Sequence, residues 1–211
     1  MKVSVLSNTI NPVETVYRAY RQCYHKGAAT NLELPSVDKQ MSFIENCMKA
    51  GHDSPLEHVS FTFSLEGFSR VTQQQLTRHR LASYSIQSQR YVDAGNFEFV
   101  TPTLDYIEDD TKRYVAESYF TALFRTCMME YKTLLDLGVK KEDARYILPV
   151  SATGNMVVTM NVRSLRHFFE ERLNPRAQWE IRKMAGMMLE AVKELFPIID
   201  SHLNIKTSWH L

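Results

Sequence analysis

The stretch from Val59 to Glu66 alternates strictly between apolar and polar side chains, and it constrains the fold more than any other segment. Its apolar positions carry one valine, two phenylalanines and one leucine, separated by serine or threonine. Successive side chains of an extended chain point to opposite faces of a sheet. The pattern therefore predicts a strand with one buried face and one polar face, and Gly67 is expected to end it.

Most of the remaining apolar residues recur at helical spacing. Residues 111–137 predict a long amphipathic helix, with an apolar stripe formed by Phe120, Leu123, Phe124, Cys127, Tyr131, Leu134 and Leu135. Further helices are predicted from Pro12, from Ser36, and over residues 69–79, 140–148, 164–173 and 175–197. Val3–Val5 and residues 157–162 predict short strands, and residues 80–99 predict a structured loop with short extended pieces. We expect an α+β fold over residues 1–211, a single domain with a small, mostly antiparallel sheet flanked by long helices.

Composition narrows the function. With 25 basic and 24 acidic residues the net charge is +1, which argues against an electrostatic nucleic-acid binder. Three scattered cysteines without a CxxC pair argue against a disulfide framework or a zinc ribbon, and we expect no metal site. The absence of a signal-peptide pattern and of a long apolar run predicts a soluble, cytoplasmic protein without a membrane partner. There is no GxGxxG, P-loop or HExxH motif, so any dinucleotide would bind in a non-Rossmann way.

One segment concentrates positive charge without local acids. Arg78, His79 and Arg80 are followed by several serines and by Arg90, and no carboxylate occurs between Glu66 and Asp93. Guanidinium groups and hydroxyls suit phosphate oxygens, which favours a phosphate site. The alternative is an exposed basic loop that pairs with remote acids.

Three other clusters leave two interpretations open. His52 and His58 flank a proline turn that carries Glu57. One interpretation is a metal site, although the spacing does not place both histidines on one helix face. The other is that His and Glu cap the adjacent helix end or strand. Ser164, His167 and Arg172 do not share one helix face by spacing, so a common site would need a bend near Asn174-Pro175. Solvated arginines on an amphipathic helix pair are the alternative. Arg145 either pairs with Glu142 or Asp143 on its own helix or faces a phosphate.

Taken together, four separated segments resemble the flavin-dependent thymidylate synthases. The signature of that family is Arg-His-Arg, seven residues and then Ser, which here is RHRLASYSIQS from Arg78 to Ser88. The other segments are GHDSPLEHVSFTF at 51–63, DARYILP at 143–149, and NVRSLRHFFEERLNPRAQWEIR at 161–182. The sequence departs from some members at Ile86-Gln87 and at Arg176.

The resemblance implies specific roles. The dUMP site would include Gln75, Arg78, Ser88, Gln89, Arg90, Arg145 and Arg172. The FAD site would include Ser54, Glu57, Arg78, His79, Arg80, Asn161, Arg163 and His167. His52 would lie near the flavin and the folate, and Arg172 would be the catalytic residue that holds the uracil ring.

The resemblance also implies a reaction and an assembly. The enzyme would methylate dUMP with 5,10-methylenetetrahydrofolate, with hydride from FAD reduced by NADPH and without a cysteine nucleophile. It would act as a homotetramer with its active sites at subunit interfaces. Two alternatives remain: a nucleic-acid-binding module with Tyr84 and Tyr91 as stacking platforms, and an inactive regulatory protein that binds dUMP or flavin.

Overall fold

The predicted alternating strand lies in the interior of a small sheet. The computed structural model describes residues 1–92 and 97–205. The strands of this part of the chain are β1 (Lys2–Asn8), β2 (Ser60–Ser69), β3 (Ser83–Ile86) and β4 (Thr153–Asn161). They form an antiparallel sheet in the order β1-β2-β4-β3.

Helices account for most of the remaining regular structure. The α-helices in the described residues are α1 (Pro12–Gln22), α2 (Val37–Lys49), α3 (Arg70–Leu76), α4 (Asp110–Asp136), α5 (Lys141–Ala144), α6 (Val162–Arg172) and α7 (Trp179–Lys193). Short 3-10 helices cover Ala29–Asn31, Ser54–His58 and Arg145–Ile147. The predicted fold class, an α+β fold with a small sheet and long helices, is confirmed. No helix in the described part of the chain combines the length and the apolar character needed to cross a membrane.

Strand β2 follows the predicted alternation but extends further. Phe61, Phe63 and Leu65 are completely buried, while the Thr62 hydroxyl on the other face lies 2.9 Å from the Thr159 hydroxyl of β4. The predicted end at Gly67 is wrong, because the strand continues through this residue to Ser69. Gly67 has a φ of +67°, which glycine adopts at little steric cost.

Contacts divide the chain into two compact units. The first contains Met1–Leu65, Gln75–Ser85 and the described residues from Val157 onward. The second contains Glu66–Gln74 and the described residues between Ile86 and Met156. The single domain expected over residues 1–211 stays a prediction.

The first unit buries its core between helices and strand β1. Helix α1 contacts α2, helix α6 contacts α7, and α7 also contacts β1. Leu165 and Phe168 of α6 and Met184 of α7 are completely buried. Complete burial of each such side chain contributes about 1.5–3 kcal/mol, so this packing fixes the position of α6.

Helix α6 begins earlier than the sequence indicated. Ser164 was expected as the N-cap, but Asn161 takes that position and its side-chain oxygen accepts from the Ser164 N–H at 2.8 Å. Helix α7 begins at Trp179 rather than at Pro175, because the Gln178 side chain caps it. The first error arises because Asn161 and Ser164 are both suitable N-caps. The second arises because a proline fits the first turn of a helix, whereas Pro175 here lies in a turn closed by the Ala177 N–H and the Asn174 carbonyl oxygen.

The second unit is built around the 27-residue helix α4. Its predicted stripe is only partly buried: Phe124 and Tyr131 are buried, whereas Leu123 is 57% exposed. Tyr131 packs against Ala144 of α5. The predicted helix over residues 140–148 is wrong in extent, because α5 ends at Ala144 and the 3-10 helix Arg145–Ile147 follows.

Candidate active site

A cleft of about 830 Å³ in the first unit collects most of the predicted cofactor residues. Three segments form its walls: the 3-10 helix Ser54–His58, the turn after α3, and helix α6 with its cap. The lining residues are Asp53, Leu56, Glu57, Arg78, His79, Arg80, Leu81, Asn161, Arg163, Ser164, Arg166, His167, Glu170, Glu171 and Arg172. The cleft therefore brings the histidine and both arginines of the Arg-His-Arg signature together with the polar side of α6.

The most constrained contact in the cleft joins His79 to Arg172, residues 93 positions apart in sequence. The Nε of Arg172 donates to Nε2 of His79 at 3.0 Å. The edge of the His79 ring meets the Phe168 ring, with their centres 5.0 Å apart. A guanidinium has no acceptor, so His79 must present a bare Nε2 and carry any ring proton on Nδ1.

Electrostatics keeps His79 neutral. Burial, then Arg172 and His167, lower the pKa of His79 from 6.5 to about 4. Burial is also the main cause that lowers the pKa of Arg172, and Arg78 acts in the same direction against Glu171. Arginine remains protonated at neutral pH despite such a shift. The pair is thus a neutral acceptor that holds a half-buried cation.

Two anchors hold the walls of the cleft in place. The Tyr84 hydroxyl lies 2.8 Å from the carbonyl oxygen of Leu76 and 2.7 Å from that of His79, and burial raises its pKa to about 12. Arg166 is only 8% exposed and donates to the carbonyl oxygens of Ile199 and Ser201 at 2.7 and 2.8 Å. Both side chains therefore order the backbone around the cleft.

The outer part of the cleft carries an exposed ion pair. Arg163 Nη1 lies 2.5 Å from the Glu57 carboxylate, with 54% and 47% of the two side chains exposed. Exposed pairs of this kind contribute about 0–1 kcal/mol to stability. The pair can therefore open for a ligand at little cost.

A second, smaller pocket of about 240 Å³ lies in the second unit. Its lining residues are Arg70, Gln89, Arg145, Tyr146, Leu148 and Val150. Gln89 is only 6% exposed, and its Oε1 accepts from Nη1 of Arg70 at 2.7 Å. This pocket contains two guanidinium groups of the second unit.

Glu142 contacts Arg145 of this pocket and one further arginine of the unit, Arg90. Its carboxylate accepts from Arg90 Nε at 2.9 Å and from Arg90 Nη2 at 2.8 Å. Its backbone oxygen accepts from Arg145 Nε at 3.0 Å. One interpretation of the sequence paired Arg145 with Glu142 or Asp143. Arg145 does bond to Glu142, but to its backbone oxygen, while the Glu142 carboxylate neutralises Arg90.

The structure groups the predicted site residues into separate sets. The cleft is lined by Glu57, Arg78, His79, Arg80, Asn161, Arg163, His167 and Arg172. Gln89 and Arg145 line the pocket of the second unit. Ser88 and Arg90 belong to the same unit but line neither pocket, and Ser88 Oγ accepts from the Arg90 N–H at 3.2 Å. His52, Ser54 and Gln75 lie outside both sets of lining residues.

Those three residues still have defined places. The carbonyl oxygen of His52 accepts from the Tyr20 hydroxyl at 2.6 Å. Ser54 begins the 3-10 helix that ends at His58, and the carbonyl oxygen of Gln75 accepts from Arg172 Nη2 at 3.4 Å. The ligand roles that the resemblance implies for His52, Ser54 and Gln75 stay predictions.

One geometric expectation is wrong. Ser164, His167 and Arg172 were expected to need a bend near Asn174-Pro175 to reach one site, yet all three line the cleft from the single helix α6. The cleft extends around more than one face of α6. Residues on different faces of the helix can therefore line it without a bend.

Sequence reasoning also missed some lining residues. Glu170 and Glu171 of α6 and Asp53 line the cleft, and Arg70 lines the second pocket. The spacing of Arg163, His167 and Glu170 at i, i+4 and i+7 is the signal that could have indicated the shared face. Within the described residues, no group of three or more histidine, cysteine or acidic side chains has an arrangement that could hold a metal ion.

Comparison with known proteins supports the same family. Residues 4–198 match the sequence model of the family described as thymidylate synthase complementing protein. The chain is 41% identical over 217 residues to the flavin-dependent thymidylate synthase of Nitratidesulfovibrio vulgaris, covering 97% of this chain and 87% of that protein. It is 42% identical over 200 residues to the protein of the same name from Geobacter sulfurreducens, covering 94% and 85%.

A third relative agrees with the first two. The flavin-dependent thymidylate synthase of Pyrococcus abyssi is 42% identical over 207 residues, covering 94% of this chain and 83% of that protein. The family match spans nearly the whole described chain, including the segments that form the cleft. The resemblance inferred from four motifs is therefore confirmed, and the chain belongs to the flavin-dependent thymidylate synthase family.

Proposed function

We propose that this protein converts dUMP to dTMP, with 5,10-methylenetetrahydrofolate as carbon donor and NADPH as reductant. The products would be dTMP, tetrahydrofolate and oxidised NADP. The observation that carries the proposal is the cleft, in which eight residues predicted for the nucleotide and flavin sites lie together, the His79–Arg172 pair among them. Family membership supplies the reaction class, since the relatives are named flavin-dependent thymidylate synthases.

The cleft suits FAD by size and by chemistry. Its volume of about 830 Å³ lies within the range of about 300–1,000 Å³ typical of ligand and cofactor pockets. The exposed guanidinium groups of Arg78 and Arg80 can neutralise a diphosphate. We assign FAD binding to Ser54, Glu57, Arg78, His79, Arg80, Asn161, Arg163 and His167, and the vicinity of flavin and folate to His52. When bound, the flavin supplies the hydride-transfer chemistry.

Arg172 would act on the uracil ring as a fixed positive charge. Its Nε donates to His79 and its Nη2 to the Gln75 carbonyl oxygen, and the residue lines the cleft. Methylation at C5 builds negative charge on the uracil carbonyl oxygens, and a preorganised cation stabilises such charge. Arginine cannot serve as a base because it stays protonated, so its role is charge stabilisation and orientation.

The cysteines support a reaction without an enzymic thiolate. Of the described residues that line the cleft, none is a cysteine. Cys23 is exposed, and burial raises the pKa of Cys47. A nucleophilic thiolate needs a lowered pKa in a positively charged setting. Cys127 is half-buried on α4 and outside the cleft.

The phosphate of dUMP would be bound by residues of the second unit. Ser88, Gln89, Arg90 and Arg145 carry this role, and together with Gln75, Arg78 and Arg172 they form the proposed nucleotide site. The two groups of residues belong to different compact units. We propose that they act together in a homotetramer, where residues of different chains surround one FAD.

The experiment follows the flavin and then the nucleotide. The purified protein should be yellow or become yellow with FAD, and its flavin absorbance should bleach on anaerobic addition of NADPH in the presence of dUMP. Release of tritium from C5-labelled dUMP, dependent on methylenetetrahydrofolate, would then establish methylation. A protein that cannot take up FAD and releases no tritium would refute the proposal and favour the regulatory or nucleic-acid alternatives.

A further inference from the structure

Arg166 belongs to the wall of the cleft and also holds residues 196–204, a segment that follows α7. It lines the cleft from α6. Its Nη1 donates to the carbonyl oxygens of Ile199 and Ser201 at 2.7 and 2.8 Å, and its Nη2 donates to that of His202 at 3.4 Å. One guanidinium therefore joins three backbone positions of the segment to a helix that forms the cleft.

Glu170, one turn further along α6, connects the same two parts of the first unit. It also lines the cleft, and its Oε1 accepts from the Asn204 N–H at 3.0 Å. Side chains four positions apart on a helix are neighbours on its surface. Arg166 and Glu170 thus form one contact surface that serves both the cleft and the segment.

The segment has a defined conformation that these contacts help to hold. Ile199 is completely buried, and the Ser201 hydroxyl donates to Glu45 Oε1 of α2 at 2.5 Å. His202 has a φ of +57°, a left-handed conformation that few residues other than glycine adopt. Such a conformation persists only where the surrounding contacts determine it. The donation from Arg166 to the carbonyl oxygens on either side of this turn is one of these contacts.

Arg166 has a second influence on the cleft through its charge. Among the described residues, no carboxylate forms an ion pair with it. Burial lowers the pKa of Arg166, whereas Asp53 and Glu170 act in the opposite direction. Both of these acidic residues line the cleft. The cation therefore reduces the repulsion that they would exert on an anionic ligand, and a test of positioning must be separated from this charge effect.

We infer that Arg166 is a positioning residue of the FAD cleft, through which the docking of residues 196–204 and the binding of FAD stabilise each other. The inference rests on the proposed function, because that function assigns FAD to the cleft. The resemblance gives no role to Arg166 or to the segment. When the segment is released, Arg166 and Glu170 lose partners that hold them in the cleft wall, so this state binds FAD weakly. A ligand that prefers one of two states shifts the equilibrium toward it, and the coupling is reciprocal.

Hydrogen exchange of the segment, followed with and without FAD, tests the coupling directly. The N–H groups of Ser201, Leu203 and Asn204 are hydrogen-bonded and report on docking. If the released state binds no FAD, their exchange should slow about 100-fold when the FAD concentration is about 100 times the Kd. Amides of β2 are the reference for global unfolding, and without FAD the segment should exchange faster than they do. Exchange that FAD does not slow would overturn the inference.

Two substitutions of Arg166 separate positioning from charge. Arg166→Met removes every donor to the segment, so exchange of the segment should become about 10-fold faster and the Kd for FAD should rise about 10-fold. Arg166→Lys keeps the charge and can donate to part of the carbonyl oxygens, so both effects should be smaller. A raised Kd with unchanged exchange of the segment would mean that Arg166 acts only by offsetting the nearby carboxylates, and it would overturn the positioning role.

A matched pair at Glu170 leaves Arg166 in place and keeps the test open if Arg166→Met does not fold. Glu170→Ala and Glu170→Gln remove the same negative charge, but only Gln retains an acceptor for the Asn204 N–H. The Ala variant should therefore bind FAD more weakly than the Gln variant and exchange the Asn204 amide faster. Equal FAD affinities of the two variants would contradict the coupling, because charge alone would then explain the role of Glu170.

The outcomes distinguish this inference from the proposed function. If the wild type takes up no FAD, the proposed function fails and the inference fails with it. If FAD binds without slowing exchange of the segment, only the inference is overturned. The same holds if Arg166→Met leaves both the exchange and the Kd for FAD unchanged.

Discussion

The buried neutral histidine of the cleft leads to a pH-dependent stability that can be calculated. Burial, Arg172 and His167 lower the pKa of His79 from 6.5 to about 4 in the folded protein. The unfolded chain should titrate near 6.5. Well above pH 6.5 neither state binds the proton, so His79 costs no stability there. As pH falls below 6.5, the unfolded state binds a proton that the folded state rejects, and stability decreases until about pH 4.

The magnitude follows from the two pKa values. At pH 5 the unfolded histidine is almost fully protonated and the folded one is about one-tenth protonated, which corresponds to about 2 kcal/mol of lost stability relative to pH 7. The local contacts point in the same direction. Protonation of Nε2 would remove the acceptor of Arg172 Nε and place two cations 3.0 Å apart.

The perturbation that isolates this effect is His79→Gln. The Gln side-chain oxygen can replace Nε2 as acceptor for Arg172, but the amide does not bind a proton near pH 6. The free energy of unfolding in urea is measured at pH 7 and pH 5 for both proteins. We expect the wild type to lose about 2 kcal/mol more than the variant over this interval. Carboxylates titrate in both proteins, so their contribution cancels in the difference. Equal losses in the two proteins would refute the assignment of a neutral, buried His79.

Three further perturbations test the arginines and their partners. Arg172→Ala should lower turnover by about 10- to 100-fold while FAD absorbance is retained, and retained turnover with lost flavin would contradict its catalytic role. Glu142→Gln removes the charge that neutralises Arg90, so the affinity for dUMP should increase and become more salt-dependent; a weaker affinity would show that Glu142 acts mainly by ordering the site. Glu57→Gln breaks the exposed pair with Arg163. It should change the free energy of unfolding by less than about 1 kcal/mol and lower the FAD content. A large loss of stability with full FAD content would contradict the assignment of Glu57 to FAD binding.

The sequence predicted those parts of the fold that depend on local periodicity. Strand β2 was predicted because its alternation and its buried face coincide, as the complete burial of Phe61 and Phe63 confirms. The stripe of α4 was only partly predicted, because the pattern identifies apolar positions but not what packs against them. Leu123, for example, belongs to the stripe and is 57% exposed. Periodicity cannot separate a side chain buried within the chain from one left on its surface.

The candidate site required long-range information that spacing does not contain. The contact between His79 and Arg172 joins positions 93 residues apart, and only the packing of α6 brings them together. Family motifs indicated both residues but not their bond. Arg70, which lines the pocket of the second unit, was missed for a different reason: it stands at the junction of β2 and α3, outside every motif, and the sequence does not show its contact with buried Gln89.

The partners of the arginines indicate how the protein keeps positive charge available for ligands. Arg172 is held by the neutral ring of His79, Arg70 by the amide oxygen of Gln89, and Arg145 by a backbone carbonyl oxygen. Neutral acceptors orient a guanidinium without cancelling its charge, whereas a carboxylate does both. A guanidinium held this way keeps an uncompensated charge, which costs electrostatic free energy until an anion binds. The anion is attracted more strongly because little water or countercharge must be displaced. We therefore expect the arginines with neutral partners to contribute more to nucleotide affinity than those paired with carboxylates. Alanine substitution of each class, with the Kd for dUMP as readout, would contradict this reasoning if both classes lost affinity equally.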